Sequence, residues 1–151
     1  MVLFRALNAP VFTLEAVNAL VPKLQELVGR QFHLRSQIEG LLANLGRELG
    51  GEIPERIVLD PADPAELREL KRNLVQHVEQ YRAGWDEIEQ LGAVLKDPRL
   101  GLLDFYGNVD GKLVWLCWKY GEREVGFYHP LDQGFASRKP LHQSVRQRLL
   151  N

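Results

Sequence analysis

Between residues 13 and 96 the apolar positions recur at alternating steps of three and four residues, the period of an amphipathic helix rather than of a strand. In FTLEAVNALVPKLQELVGRQFHLRSQIEGLLANLGRELGG, the residues Val17, Leu20, Leu24, Leu27, Leu34, Ile38, Leu41 and Leu45 form one seam, with Gln31 its polar interruption. This is coiled-coil spacing. Thr13 is placed to cap the helix, Glu15 lies where the helix dipole favours an acid, and Gly50-Gly51 ends it. Pro22 is expected to kink the helix or divide it near Val21.

A proline-containing connector, EIPERIVLDPADP, leads to a second helical pattern. Asp63 as cap, Pro64 in the first turn and Glu66 three residues after the cap mark its start. Leu67, Leu70, Leu74, Val78, Tyr81, Trp85, Ile88, Leu91 and Leu95 carry its seam, and Lys96 to Pro98 stop it. Two long helices on a short connector fold back as an antiparallel hairpin, here over residues 13–96. A hairpin buries only the seam between its helices. The outer apolar positions therefore call for another layer: a sheet, a second copy of the chain, or both.

After Gly101 the period changes from helical to alternating. LLDFYGNVDGKLVWLCWKY reads as two strands joined by a turn at Asn108 to Gly111, and REVGFYH as a third. The expected architecture is α+β: the helical hairpin, a three-stranded antiparallel meander over 101–129, then a loop and a short tail helix over 130–151, all in one domain of 1–151. With turns at Asn108–Gly111 and Gly121–Glu122, one face of the meander carries Leu103, Phe105, Val114, Leu116, Trp118, Val125 and Phe127. The other is mixed: Asp104, Tyr106, Leu113, Trp115, Cys117, Glu124, Gly126 and Tyr128, with Gly126 expected opposite Cys117.

Composition narrows the function classes. A chain of 151 residues with 45% hydrophobic and 26% charged content is an ordinary globular protein with one real core. A net charge of -1 provides no global field for nucleic acid or an anionic membrane. No apolar run approaches a membrane span, MVLFRALNAP lacks the pattern of a secretory signal, and one cysteine forms no internal disulfide. The expectation is a soluble, cytoplasmic protein.

The chemistry-bearing residues concentrate late in the chain. Cys117, His129 and Asp132 are ligand types that suit zinc or iron, but their spacing matches no metal motif, and strand alternation turns His129 away from Cys117. A cysteine in a strand is more often a small buried hydrophobe. As a nucleophile Cys117 is disfavoured by the acids Asp104 and Glu124 on its expected face, which raise a thiol's pKa. In HPLDQGFASRKP, Asp132 has an ordinary turn-capping role, weighed against a ligand loop in which His129, Asp132 and Arg138 converge. Arg138 is there the natural clamp for a small-molecule anion. His33 and His77 lack the partner acids of helix-bundle metal sites and read as flank positions. The tail cations Arg138, Lys139, Arg146 and Arg148 alternate with Leu141, Val145 and Leu149, so a docked amphipathic helix is preferred to a nucleic-acid surface.

The segments FTLEAVNALVPKL, LKDPRLGLLDF and LVWLCWKYGEREVGFYHPLDQGFASRKPL resemble the bacterial DUF2203 family, a domain of unknown function. The resemblance spans nearly the whole chain. The resemblance implies GFAGR as the usual form of this segment, where this chain has Ser137. The family brings no activity, so no catalytic residue is carried over.

The reading that follows is a binding or interaction module: a homodimer through the helical seams, with a small-ligand or partner pocket at the sheet face. Its candidate residues are Asp104, Trp115, Cys117, Tyr128, His129, Asp132 and Arg138. The alternative is an enzyme, metal-dependent or not, with a pocket of Asp104, Cys117, His129, Asp132 and Arg138. Catalytic residues and cofactor are unknown from the sequence.

Overall fold

The Thr13 hydroxyl accepts a hydrogen bond from the Ala16 amide (3.0 Å) and starts a single helix, α1, Leu14–Leu49. The computed structural model describes residues 9–146 and residue 149. Pro22 lies inside α1 without dividing it. The flanking Val17, Val21 and Leu24 are all buried, and that packing offsets the missing backbone hydrogen bond. Gly50, with φ 72°, ends the helix in the left-handed conformation that glycine adopts without steric cost. The second helix, α2, is Ala65–Gln90. It stops before the expected Lys96: Leu91 and Gly92 close the last turn on the carbonyls of Ile88 and Glu89, and Gly92 has φ 103°. A Cβ at Gly92 would overlap the Phe12 ring, so glycine is required on steric grounds as well.

Residues expected to finish that helix instead make a strand. The sheet has five antiparallel strands in sequence order: β1 Val94–Asp97, β2 Leu102–Val109, β3 Lys112–Lys119, β4 Phe127–Pro130 and β5 Lys139–Pro140. The three-stranded expectation missed both edge strands. β1 is short and reads as the end of a heptad, and β5 is a lysine and a proline with no strand pattern of their own. A short helix α3, Gln143–Arg146, follows; Arg148 of the expected tail helix lies outside the described residues. No helix among the described residues is long and apolar enough to cross a membrane.

The chain forms two compact units, one of residues up to Val28 with Glu87 onward, the other Gly29–Asp86. In the second, the distal parts of α1 and α2 run antiparallel. Gln31 Nε2 donates to the Tyr81 carbonyl (2.6 Å), and Asn44 and Arg47 share a groove with Asn73 and His77. Leu34, Leu45, Leu74 and Trp85 are buried there, with Gln31, the seam's polar residue, only 1% exposed. In the first unit, Val17, Leu24 and Val28 of α1 are buried, as are Leu103, Phe105, Leu116 and Trp118 on the apolar face of the sheet. Phe12 packs edge-on against Phe105 with ring centres 5.2 Å apart.

The β2–β3 hairpin turns through Asp110 and Gly111, both at positive φ, the two-residue turn whose twist matches that of the strands. It pairs Asp104 with Cys117 and Tyr106 with Trp115, four residues expected on one face. The turn sits one residue later than the expected Asn108–Gly111, so that Asn108 pairs with Leu113 and Val109 with Lys112. The next connection is different. Residues 120–126 form an irregular loop rather than a tight turn. α1 holds it at several points: Gln25 bonds the Glu122 carbonyl (3.0 Å) and the Gly121 amide (3.2 Å), and Asn18 accepts from the Val125 amide (2.7 Å). The longer connection shifts β4 by one residue from the expected register. Cys117 therefore faces Phe127 rather than Gly126, Trp115 pairs with His129, and Tyr128 moves to the apolar face opposite Leu116.

Candidate functional site

The one-residue shift decides what meets on the mixed face. His129, expected to point away from Cys117, shares its face and reaches across β3 to β2. Its Nε2 lies 2.9 Å from Asp104 Oδ2, and Asp104 and His129 are 1% and 2% exposed. Cys117, fully buried, completes the group: one ligand atom from each of Asp104, Cys117 and His129 lies within 4.8 Å of the others.

The protonation pattern is constrained by geometry. His129 Nδ1 is 3.0 Å from the Pro130 carbonyl, which can only accept, so Nδ1 carries a hydrogen. One further proton then occupies the Nε2···Oδ2 contact, shared between imidazole and carboxyl. Asp104 Oδ1 is buried and makes no hydrogen bond among the described residues. Burial pushes the Asp104 carboxyl above the usual carboxylate range, against the opposing influence of His129, the Cys117 thiol and Lys96. Burial also pushes the Cys117 thiol up to about 12, aided by the charge of Asp104 and opposed by Arg138. At neutral pH Cys117 is a thiol, not a nucleophilic thiolate.

Arg138 stands at the edge of the group, its Nη1 3.9 Å from Cys117 Sγ. It is committed on both sides. Its two terminal nitrogens bond the Glu122 carboxylate at 3.2 and 3.1 Å, and its guanidinium lies over Phe127 (3.8 Å) and Phe135 (4.4 Å). Glu122 is held in turn by the Lys119 amide (2.7 Å). Trp115 is buried against the same face; its indole donates to the Leu131 carbonyl (3.3 Å), and Lys96 Nζ sits 4.1 Å above its ring.

Two candidates do not join. Tyr128, on the opposite face, and the exposed Asp132 both line a cleft of about 620 Å³ at the hairpin end of the sheet, together with Val109, Val114 and Pro130. Asp132 is therefore not in the acid, thiol and imidazole group; Asp104 holds that position. Glu124, expected beside Cys117, is instead exposed and pairs with Arg146 (3.4 Å). Sequence reasoning missed Glu122, Lys96 and Phe135. Lys96 lies where the helical pattern of the sequence ends, and Glu122 lies in the expected Gly121–Glu122 turn, so neither position signals a site.

A family model described as an uncharacterized conserved protein (DUF2203) matches residues 10–141, which include every residue of this site. No curated protein and no solved structure is detectably similar to the chain.

Proposed function

The chain belongs to the DUF2203 family of uncharacterized conserved proteins, and we propose that it acts as a small-ligand-binding module whose site is the Asp104–Cys117–His129 group. The observation that carries this reading is the Asp104–His129 pair, buried beside a thiol with one carboxylate oxygen unsatisfied. Apolar residues of similar size would fill that volume at equal or lower free energy, and an unsatisfied buried oxygen costs about 1–3 kcal/mol. Stability alone gives no reason to keep these groups in the interior; ligand binding does. The cytoplasm suits the reading, since a free thiol stays reduced there.

An enzyme using Asp104, Cys117, His129, Asp132 and Arg138 has less support. Asp132 lies on the cleft, Arg138 is already paired with Glu122, and the thiol is protonated. The same pairing weakens the reading of Arg138 as an anion clamp. A homodimer remains a second reading, with a changed location. The seam residues Leu24, Leu45 and Leu74 are already buried in one chain, whereas Val58 and Leu59 of the connector are 64% and 52% exposed. Those connector residues favour contact with a second copy there.

Native mass spectrometry of the full chain purified without chelator, with a melting-temperature scan over divalent cations and small anions, tests both readings. The expected result is a retained mass or a ligand-dependent rise in melting temperature that Asp104→Asn abolishes. A bare chain whose melting temperature responds to no ligand overturns the binding reading. A spectrum with only single chains at all concentrations overturns the dimer.

A further inference from the structure

The chemistry of the buried group identifies the kind of ligand it takes. We propose that Asp104, Cys117 and His129 form a binding site for one divalent transition-metal ion of borderline softness, with zinc the best fit. The inference deepens the binding reading above and rests on it.

Four observations converge. The donor set is carboxylate, thiolate and imidazole, a mixture that zinc accepts and that magnesium and calcium, which prefer oxygen ligands alone, do not. His129 already donates Nδ1–H to a backbone carbonyl, the outer contact that metal-bound imidazoles make, and this aims Nε2 into the group. Asp104 Oδ1 is buried with no hydrogen-bond partner among the described residues while Oδ2 is 2.9 Å from Nε2, so the carboxylate retains unused acceptor capacity. Lastly, the charges cancel. A divalent ion with one thiolate, one carboxylate and one neutral imidazole has zero net charge, the form a buried site tolerates best.

The exchange balances in protons. The Cys117 thiol loses one, and the proton shared by Asp104 and His129 is the second. Both go to solvent as the ion enters, with no change of oxidation state. The proton count is the same whether the shared proton sits on the imidazole or on the carboxyl. Zinc bonds of about 2.0–2.3 Å require the Asp104–His129 contact to open slightly from 2.9 Å. Three protein ligands leave a fourth position for water or a small ligand.

Cobalt(II) serves as a spectroscopic stand-in for zinc. The full chain is stripped with chelator and titrated with cobalt(II), and zinc is then added in competition. The expected result is one cobalt per chain, visible bands of tetrahedral strength, a near-ultraviolet thiolate charge-transfer band, and displacement by zinc. Cys117→Ser should abolish the charge-transfer band. Cys117→Ser and Asp104→Asn should each weaken binding by more than about 100-fold, beyond what loss of an outer contact alone causes. Asp132→Asn should leave binding unchanged. If a substituted chain does not fold by circular dichroism, the charge-transfer band of the unsubstituted chain still decides the matter, since only thiolate ligation produces it. Cobalt bound without that band overturns the site. No uptake of cobalt or zinc, with a retained organic mass or a response to anions, overturns the metal and leaves the binding reading standing. No uptake, a bare chain and no response to any ligand overturn both.

Discussion

Asp104 and His129 are in hydrogen-bond contact at 2.9 Å although a whole strand, β3, runs between their own strands. Asp104 pairs with Cys117 of β3 and His129 with Trp115, so the contact is diagonal across β3, and both groups are withdrawn from water. The thermodynamics of the group follow from this relationship, because each partner compensates for the burial of the other.

Asp104→Leu in metal-free protein is expected to cost about 3–5 kcal/mol, because it leaves His129 buried without its partner. His129→Leu should cost a similar amount. The double variant should be less destabilised than the sum of the two, by at least about 1 kcal/mol, since no orphaned partner remains. Urea denaturation of the four chains checks this, and additive losses would show that the contact contributes nothing.

The buried thiol makes a statement about alkaline stability. Its pKa rises from 9.0 to about 12 on folding, so between those values the folded chain holds a proton that the unfolded chain releases. Stability is therefore lost as pH rises through that window, at a slope approaching about 1.4 kcal/mol per pH unit from this group. Comparing metal-free protein with Cys117→Ala across the same pH range isolates the contribution, because other groups titrate alike in both. Iodoacetamide should label Cys117 at neutral pH only after unfolding.

Arg138→Lys keeps the charge beside Glu122 but loses the planar stack over Phe127 and Phe135. A loss of about 1–2 kcal/mol is expected. The loop before it, residues 131–137, should become more susceptible to limited proteolysis. Wild-type melting and cleavage in the lysine variant would reduce Arg138 to a simple counter-charge.

In the helical unit, a Cβ at Gly84 would overlap the Gln31 amide that bonds the Tyr81 carbonyl. Alanine normally favours a helix over glycine, yet Gly84→Ala is expected to destabilise by about 1–3 kcal/mol. Adding Gln31→Ala should recover part of that loss by making room. Thermal melts of the single and double variants test the sign.

The sequence by itself determined everything set by local period and local turn chemistry. The seam through Val17, Leu24, Leu34 and Leu45 specified the first helix, because burial follows the 3.6-residue repeat. Asp110-Gly111 specified the hairpin, and strand alternation put Asp104 and Cys117 on one face, because side chains in a strand repeat with period two. Tertiary structure decided the rest. Val94–Asp97 continues a helical pattern in sequence but pairs with β2, whose edge can accept it, once Gly92 has turned the chain. Asn18 and Gln25 lie about a hundred residues before the loop they hold, and no local pattern reports such a contact. That contact fastens the irregular connection between β3 and β4. Strand side chains alternate with period two, so a shift of one residue carried His129 from one face of the sheet to the other and assembled the site.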